Sequence, residues 1–183
     1  GGDASSRRHL LANGGAVVHR HLLAKAGEVK VLAGVYDTPG CTDGLGTNAM
    51  FNALRSSAIT SDDQKIYILD QTTVRQVHLW TGMVTTLAGK CDTVGEASTD
   101  GIGTNARLDQ MYGFALSPDE GTIYIAGSAS QEIRELDIQS QSVTTLAGSG
   151  TTNVGNEVTE GTGTNVPMFA MPYTVSVSPD GQY

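Results

Sequence analysis

An internal repeat is the feature that most constrains how this chain can fold. The tripeptide Leu-Ala-Gly ends at Gly34, Gly89 and Gly148, so the spacings are 55 and 59 residues. The last two copies share the longer sequence Val-Thr-Thr-Leu-Ala-Gly. Repeats of this length are typical of solenoids and propellers, in which each copy folds as one supersecondary unit. The chain is therefore predicted to consist of stacked copies of one unit.

A second repeated element keeps step with the first. It reads Asp/Glu-Gly-x-Gly-Thr-Asn and begins at Asp43, Asp100 and Glu160. The gapless alignments pair residues 43–68 with 100–125 and residues 74–89 with 133–148. A third copy follows Gly148, and the sequence stops soon after its Ser-Pro-Asp-Gly element at 178–181. We therefore expect two full repeats and a truncated third.

Each repeat is predicted to contain four short strands, because apolar and β-branched runs alternate with turn-forming residues. In the full repeats these strands are 54–60 and 111–117, 65–69 and 122–126, 74–79 and 133–138, and 84–89 and 143–148. Residues 172–178 match the first strand in the third copy, and residues 28–33 form a leading strand. Four antiparallel strands make one propeller blade. The predicted fold is all-β, a β-propeller of four-stranded antiparallel blades, and part of a larger propeller.

Charge divides the chain into two regions. Residues 1–30 hold five Lys/Arg and two Asp/Glu (+3), whereas residues 31–183 hold six and seventeen (−11). We expect a basic N-terminal arm over residues 1–28 and incomplete propeller blades over residues 29–183. An acidic body repels a phosphate backbone, so nucleic acid is not an expected partner. No apolar run reaches the roughly 18 residues of a membrane-spanning helix, so no span is expected.

The Asp-Gly-x-Gly-Thr-Asn segments are predicted to be structural turns. Glycine adopts positive φ without strain, and Asp and Thr side chains satisfy backbone groups. Calcium binding is the alternative, but a calcium ion takes about six to eight oxygen ligands, usually from several acids. Each segment offers one acid, so neither a metal nor another cofactor is expected. The turn residues are Asp43, Gly44, Gly46, Asp100, Gly101, Gly103, Gly161 and Gly163.

Arg75 and Arg134 occupy matching places in the third strand of the two full repeats. A guanidinium fork at such a place could bind a carboxylate ligand. Recurrence in each blade favours a structural tie to a neighbouring loop instead, because a unique ligand site is rarely copied around a ring.

Cys41 and Cys91 are the two cysteines of the chain. Both lie in loops between a Leu-Ala-Gly strand and the next Asp-Gly turn, and adjacent blades bring such loops to one face. A disulfide is therefore predicted, with two free thiols as the alternative. Because disulfides persist in oxidising compartments, we expect a secreted or cell-surface protein.

The order of these elements resembles NHL-repeat β-propellers over roughly residues 29–183. The matching elements are Thr-Leu-Ala-Gly, Asp-Gly-x-Gly-Thr, the residues Phe51, Leu108 and Phe169, Ser-Pro-Asp-Gly, x-Ile-Tyr-Ile and Ile-Arg. The chain departs from the family in lacking an Asn-His pair ahead of Arg75 and Arg134. The resemblance implies a ring of about four to eight blades. Further blades of the same chain or neighbouring chains would complete it.

The expected function is non-catalytic. Three of the four histidines, His9, His19 and His21, lie in the arm, and the predicted innermost strands carry hydroxyl and apolar groups with one arginine. No Gly-x-Ser-x-Gly nucleophile turn is present. We therefore expect an interaction module that assembles with proteins, including copies of itself, as a filament or surface-appendage subunit. Thr-rich loops also permit glycan attachment. The alternatives are a metal-dependent lactonase- or lyase-like propeller and an RNA-binding NHL module.

Overall fold

The computed structural model describes residues 10–11, 18–20, 30–148, 163–165, 169 and 171–181. Their regular structure consists of antiparallel strands and short 3₁₀ turns, arranged as one three-stranded and two five-stranded sheets. This confirms the predicted all-β fold as part of a β-propeller. Within the described ranges, no helix has the length and apolarity needed to cross a membrane.

The first sheet contains three strands in sequence order. They are β1 (Leu10–Leu11), β2 (Val18–Arg20) and β3 (Lys30–Ala33), and β2 pairs with both neighbours. β3 is the leading strand that the sequence predicts over residues 28–33.

The two five-stranded sheets are the two full blades. The first has the order β4-β8-β7-β6-β5, and the second has the order β9-β13-β12-β11-β10. Their strands are β4 (Gly44–Leu45), β5 (Leu54–Ile59), β6 (Lys65–Asp70), β7 (Thr73–His78) and β8 (Met83–Gly89), then β9 (Gly101–Ile102), β10 (Met111–Leu116), β11 (Thr122–Gly127), β12 (Glu132–Asp137) and β13 (Ser142–Ala147).

The four predicted strands of each full repeat are present within one residue of their predicted ends, and each blade has a fifth strand that was not predicted. β4 and β9 lie inside the segments predicted as turns and pair with β8 and β13. Each is two residues long and leads into a 3₁₀ turn, Gly46–Asn48 or Gly103–Asn105. Gly46 and Gly103 have φ of +57° and +56°, a conformation that favours glycine. Each of these two segments thus contains a short edge strand as well as a turn.

The three-stranded sheet repeats the register of the two blades. The residue before the bulge faces an alanine of the next strand in all three sheets, namely Ala33, Ala88 and Ala147. The bulges lie between Val18 and His19, between Val74 and Arg75, and between Ile133 and Arg134. β1, β2 and β3 therefore stand where the second, third and fourth strands of a blade stand. Of the described parts of residues 1–28, β2 pairs with the blade strand β3 and β1 pairs with β2, while the division of the chain at residue 28 stays a prediction.

The strand predicted over residues 172–178 is absent among the described residues. A strand is defined by hydrogen bonds to a neighbouring strand, and no described strand pairs with this segment. It nevertheless passes close to the second blade, because a Cβ added at Gly113 would lie 3.0 Å from the Cα of Thr174. The segment over residues 172–178 thus lies beside the second blade, but it is not paired as the predicted strand.

The hydrophobic core lies between the faces of neighbouring sheets. Apolar residues of the first blade, such as Val74 and Leu87, pack with Ile125 and Leu136 of the second blade. Phe51 and Leu108, which occupy matching places ahead of β5 and β10, are completely buried. Stacked blades thus bury the apolar faces that one blade alone would expose.

Two glycines with nearly the same backbone conformation allow a matched test of this packing. Gly89 and Gly95 have φ of +85° and +84°. A Cβ at Gly89 would clash with the carbonyl oxygen of Thr72, whereas a Cβ at Gly95 would meet nothing within 4 Å. Gly95→Ala therefore carries only backbone strain, and Gly89→Ala adds overpacking of about 1–3 kcal/mol. Urea unfolding of the two full-length variants should show this difference, and equal losses would contradict the close packing at Gly89.

Candidate functional site

Arg75 joins the first blade to the segment that enters it. Its guanidinium forms ion pairs with Asp43 (Nη2–Oδ1, 2.7 Å) and Asp70 (Nη1–Oδ2, 3.3 Å). It also donates hydrogen bonds to the carbonyl oxygens of Met50 and Thr42, each at 3.1 Å. The Arg75 side chain is completely buried, so a solute cannot reach this guanidinium.

Arg134 makes the corresponding contacts in the second blade. Its guanidinium pairs with Asp100 at 2.7 Å and with Glu132 at 3.5 Å, and its side chain is also completely buried. It donates hydrogen bonds to the hydroxyl of Ser98 and to the carbonyl oxygen of Arg107. In both blades the exposed carboxylate that pairs with the arginine comes from the matching turn, as Asp43 or Asp100. The buried carboxylate differs: Arg75 pairs with Asp70 at the end of β6, whereas Arg134 pairs with Glu132 at the start of β12. The structural role of the two arginines stays a prediction, tested below.

The carboxyl group of Asp70 is committed to protein contacts. Burial raises its pKa above the ordinary value, while hydrogen bonds from the backbone N–H groups of Asn52 and Ala53 and the charge of Arg75 oppose this rise. The two N–H groups lie 2.9 and 2.7 Å from Oδ1. Since Asp70 is only 1% exposed, its ionised form depends on the neighbouring guanidinium.

The predicted turn acids also bind their own blades. Asp43 accepts hydrogen bonds from the backbone N–H and the hydroxyl of Thr86, both at 2.9 Å. Asp100 accepts one from the hydroxyl of Thr145 at 3.0 Å. Gly163 begins the third 3₁₀ turn, Gly163–Asn165, and Gly161 lies outside the described residues.

The structure joins Cys41 to Cys91 by a disulfide. The two Cα atoms are 5.9 Å apart and the residues are separated by 50 positions in sequence. Cys41 precedes β4 and Cys91 follows β8, so the bridge encloses the first full blade. The carboxylate of Asp92 lies near the two sulfurs, but disulfide sulfurs provide no thiolate for a metal.

Three residues at matching places in successive repeats form a row, which we call the inner-rim row: Arg55, Tyr112 and Tyr173. Arg55 and Tyr112 are the second residues of β5 and β10, the neighbouring end strands of the two blades. Both lie at a bulge, since the pairing of β5 with β6 and of β10 with β11 skips these positions. Bulges re-aim a side chain and are frequent beside functional sites.

The row is held together by ring contacts. The guanidinium carbon of Arg55 lies 4.8 Å from the ring centroid of Tyr112. The rings of Tyr112 and Tyr173 meet edge to face, with centroids 5.0 Å apart and planes at 63°. Arg55 is exposed, and Tyr173 is 55% exposed. The repeat alignment places the three residues at equivalent positions, but the bulges that aim them do not show in the sequence.

A second exposed group lies at the opposite edge of the first blade. This outer-edge patch consists of Leu45 on β4, Met83 on β8, and Trp80 in the turn between β7 and β8. Leu45 and Met83 face each other across the strand pair. The three residues are 51%, 43% and 64% exposed, respectively. The matching residues of the second blade are Ile102, Ser142 and Gln139, so the indole and the thioether are particular to the first blade.

Acids in the hairpin turns are used locally. Asp62, Asp119 and Asp137 each accept hydrogen bonds from a nearby hydroxyl and a backbone N–H. These hydrogen bonds, led by the hydroxyl contact in each case, lower the pKa of all three carboxyl groups. The turns therefore keep ionised carboxylates at the surface.

Comparisons with known proteins connect the repeats to one type of propeller. No family model matches the chain. It is 29% identical over 119 residues (62% of this chain) to NHL repeat-containing protein 2 of Bos taurus, and 33% identical over 88 residues (46%) to that of Homo sapiens. The chain spans 16% and 12% of the lengths of these relatives.

A solved structure supports the fold. An auxiliary nutrient binding protein from Bacteroides thetaiotaomicron superposes with a TM-score of 0.70 over 97% of this chain and 41% of that chain, at 16% sequence identity. At this identity the likeness concerns the fold alone.

Proposed function

We propose that this chain, whose repeats are similar to those of NHL repeat-containing proteins, belongs to a non-catalytic interaction module. The module works outside the cell or at its surface and assembles with protein partners, including copies of itself. The disulfide that encloses the first blade supports an oxidising compartment.

The single observation that supports assembly most directly is the outer-edge patch. Trp80 is 64% exposed, and Leu45 and Met83 expose apolar side chains directly across a strand pair. Trp is among the residue types that dominate the binding energy of protein interfaces, and Met is enriched in them. Exposed apolar groups that lie together mark an interaction surface more often than scattered ones do.

The geometry of the edge favours contact through side chains. β4 is only two residues long, and so short an edge strand discourages the addition of a further strand. Because Trp80 and Met83 have polar counterparts in the second blade, the patch offers one docking place rather than a series of equal ones. Contact of the patch with a different surface of the next copy would build a filament, and contact with itself would build a dimer.

The inner strands favour binding over the alternative of a metal-dependent enzyme. β5, β10 and residues 172–178 contain no Asp, Glu or His. Arg75 and Arg134, which lie elsewhere in the blades, are buried in ion pairs with protein carboxylates. These two guanidinium groups are therefore not accessible to a substrate.

The proposal is tested by replacing Trp80 and Met83 with the residues found at the matching positions of the second blade. We expect Trp80→Gln combined with Met83→Ser to abolish assembly of the full-length protein in light scattering, with an unchanged melting temperature because both residues are exposed. The matched control is Gln139→Ala with Ser142→Ala, which should assemble as the wild type does. Assembly by the Trp80/Met83 variant, or a wild type that stays monomeric at every concentration, would overturn the proposal.

A further inference from the structure

We propose that the inner-rim row is a binding site for a carboxylate attached to a flat apolar group. Arg55 would hold the carboxylate, and Tyr173 would contact the flat group. The site is separate from the outer-edge patch and does not depend on it.

Arg55 differs from the other arginines with described side chains in having no ion pair with a described carboxylate. Among the arginines whose side chains the structure describes, Arg75 and Arg134 are paired in the blades, and Arg107 pairs with Glu96 at 3.3 Å. Within the same part of the chain, no carboxylate pairs with Arg55. The full sequence holds 19 Asp/Glu against 11 Lys/Arg, so acids are plentiful. An unpaired guanidinium in such a chain is available to an acidic ligand.

The aromatic neighbours fix the guanidinium in place. The face of the Tyr112 ring lies 4.8 Å below the guanidinium carbon of Arg55, an arrangement favoured by the ring quadrupole. The ring of Tyr173 in turn packs against the ring of Tyr112. The ring contact leaves the fork of N–H groups on this exposed guanidinium accessible to a ligand. That fork matches the two oxygens of a carboxylate, whereas the point charge of a lysine does not.

Tyr173 defines the second half of the ligand. Its ring is 55% exposed beside the ring of Tyr112, so a flat apolar group can lie against it while the carboxylate reaches Arg55. Ring-to-ring contacts of this kind favour centroid separations of about 4.5–7 Å. The bulges in β5 and β10 are what project Arg55 and Tyr112 beyond their regular strand positions.

Stability does not account for the arrangement. Arg55 is exposed, and exposed cation–π contacts contribute little to folding. The matching residue of the second blade is Tyr112 rather than another arginine, so the blade does not need a cation at this position to fold.

The probe for the full-length protein is benzoate, with benzyl alcohol as the uncharged comparison. We expect benzoate to bind and to shift the NMR signals of the Tyr112 and Tyr173 rings, and benzyl alcohol to bind at least about tenfold more weakly, because a charge-assisted hydrogen bond is lost. Arg55→Gln and Arg55→Lys should each weaken benzoate at least about tenfold. Tyr173→Ala should weaken it as well, and Tyr173→Phe should not.

Lys90→Gln is the matched control, since it removes a different exposed cation and should leave benzoate binding unchanged. N-acetylphenylalanine tests whether the carboxylate belongs to a peptide end, and tighter binding than benzoate would indicate that source. Equal binding of benzoate and benzyl alcohol, binding insensitive to Arg55, or no binding of either carboxylate would overturn the proposal. The Trp80/Met83 variant should still bind benzoate, which separates this test from that of assembly.

Discussion

Replacing Arg75 with methionine is expected to lower the free energy of unfolding of the full-length protein by about 3–5 kcal/mol, the usual cost of leaving a buried charge unpaired. The change removes the guanidinium but keeps much of the apolar stem. It leaves Asp70, which is 1% exposed, without its counter-charge. It also removes the side-chain donor to the carbonyl oxygens of Met50 and Thr42, although the latter still accepts a hydrogen bond from the N–H of Met50. Urea unfolding measures the loss.

Arg107→Met is the matched control for this experiment. Arg107 is partly exposed (26%) and pairs with the exposed Glu96. It also donates hydrogen bonds to the carbonyl oxygens of Thr104, Asn105 and Ala106. Because water can replace these partners at a partly exposed side chain, Arg107→Met should cost less than the loss of the buried Arg75. Adding Asp70→Asn to Arg75→Met removes the stranded charge, so part of the stability should return. A loss for Arg75→Met no larger than that for Arg107→Met would show that Arg75 is not a structural tie.

The stability deficit of Arg75→Met should also depend on pH. Burial already raises the pKa of Asp70, and removal of Arg75 takes away a charge that lowers it. With a raised pKa, the folded state binds a proton more readily than the unfolded state, so stability falls as pH rises through that range. The deficit relative to the wild type should therefore shrink as pH is lowered from neutral towards the raised pKa. A deficit that grows on acidification would contradict this account.

Replacing Cys41 and Cys91 together with alanine should lower the free energy of unfolding by about 2–4 kcal/mol. The bridge joins residues 50 positions apart, and opening it restores conformational freedom to the unfolded chain across the whole first blade. Urea unfolding under oxidising conditions measures the effect.

A reducing agent provides the control for the cysteine pair. Reduction should lower the free energy of unfolding of the wild type to about that of the double variant. It should leave the free energy of unfolding of the variant unchanged. If reduction affects both proteins equally, or if the oxidised wild type matches the variant, the disulfide does not stabilise this blade.

The blades could be predicted from the sequence because two long segments of each repeat align without gaps. That alignment fixed the four main strands and the matching positions of Arg75 and Arg134. It also aligned Arg55 with Tyr112. The bulges at these two residues follow from hydrogen-bond register and could not be predicted from the sequence. β4 and β9 escaped prediction because two residues are too few for an alternating pattern.

The sequence does not predict the strands β1 and β2, because their segment does not resemble the corresponding part of the two full repeats. Their segment contains basic residues and the pair Gly14-Gly15, which indicate an arm rather than a blade. The bulge between Val18 and His19 matches those of the other sheets, but it becomes visible only through backbone pairing. Conversely, residues 172–178 have a strand-like sequence without a described strand beside them, since pairing depends on a partner as well as on local preference.

The position of the disulfide determines how the chain responds to a pulling force. When the chain is pulled from both sides, tension passes from Gly40 through the two sulfurs to Asp92, so the enclosed blade carries none of it. Reduction would place those 50 positions in the path of the force. Unravelling them would lengthen the chain by up to roughly 170 Å, at about 3.4 Å for each extended residue. The redox state of the bridge therefore determines whether the blade is shielded from the force or can unfold and extend under it.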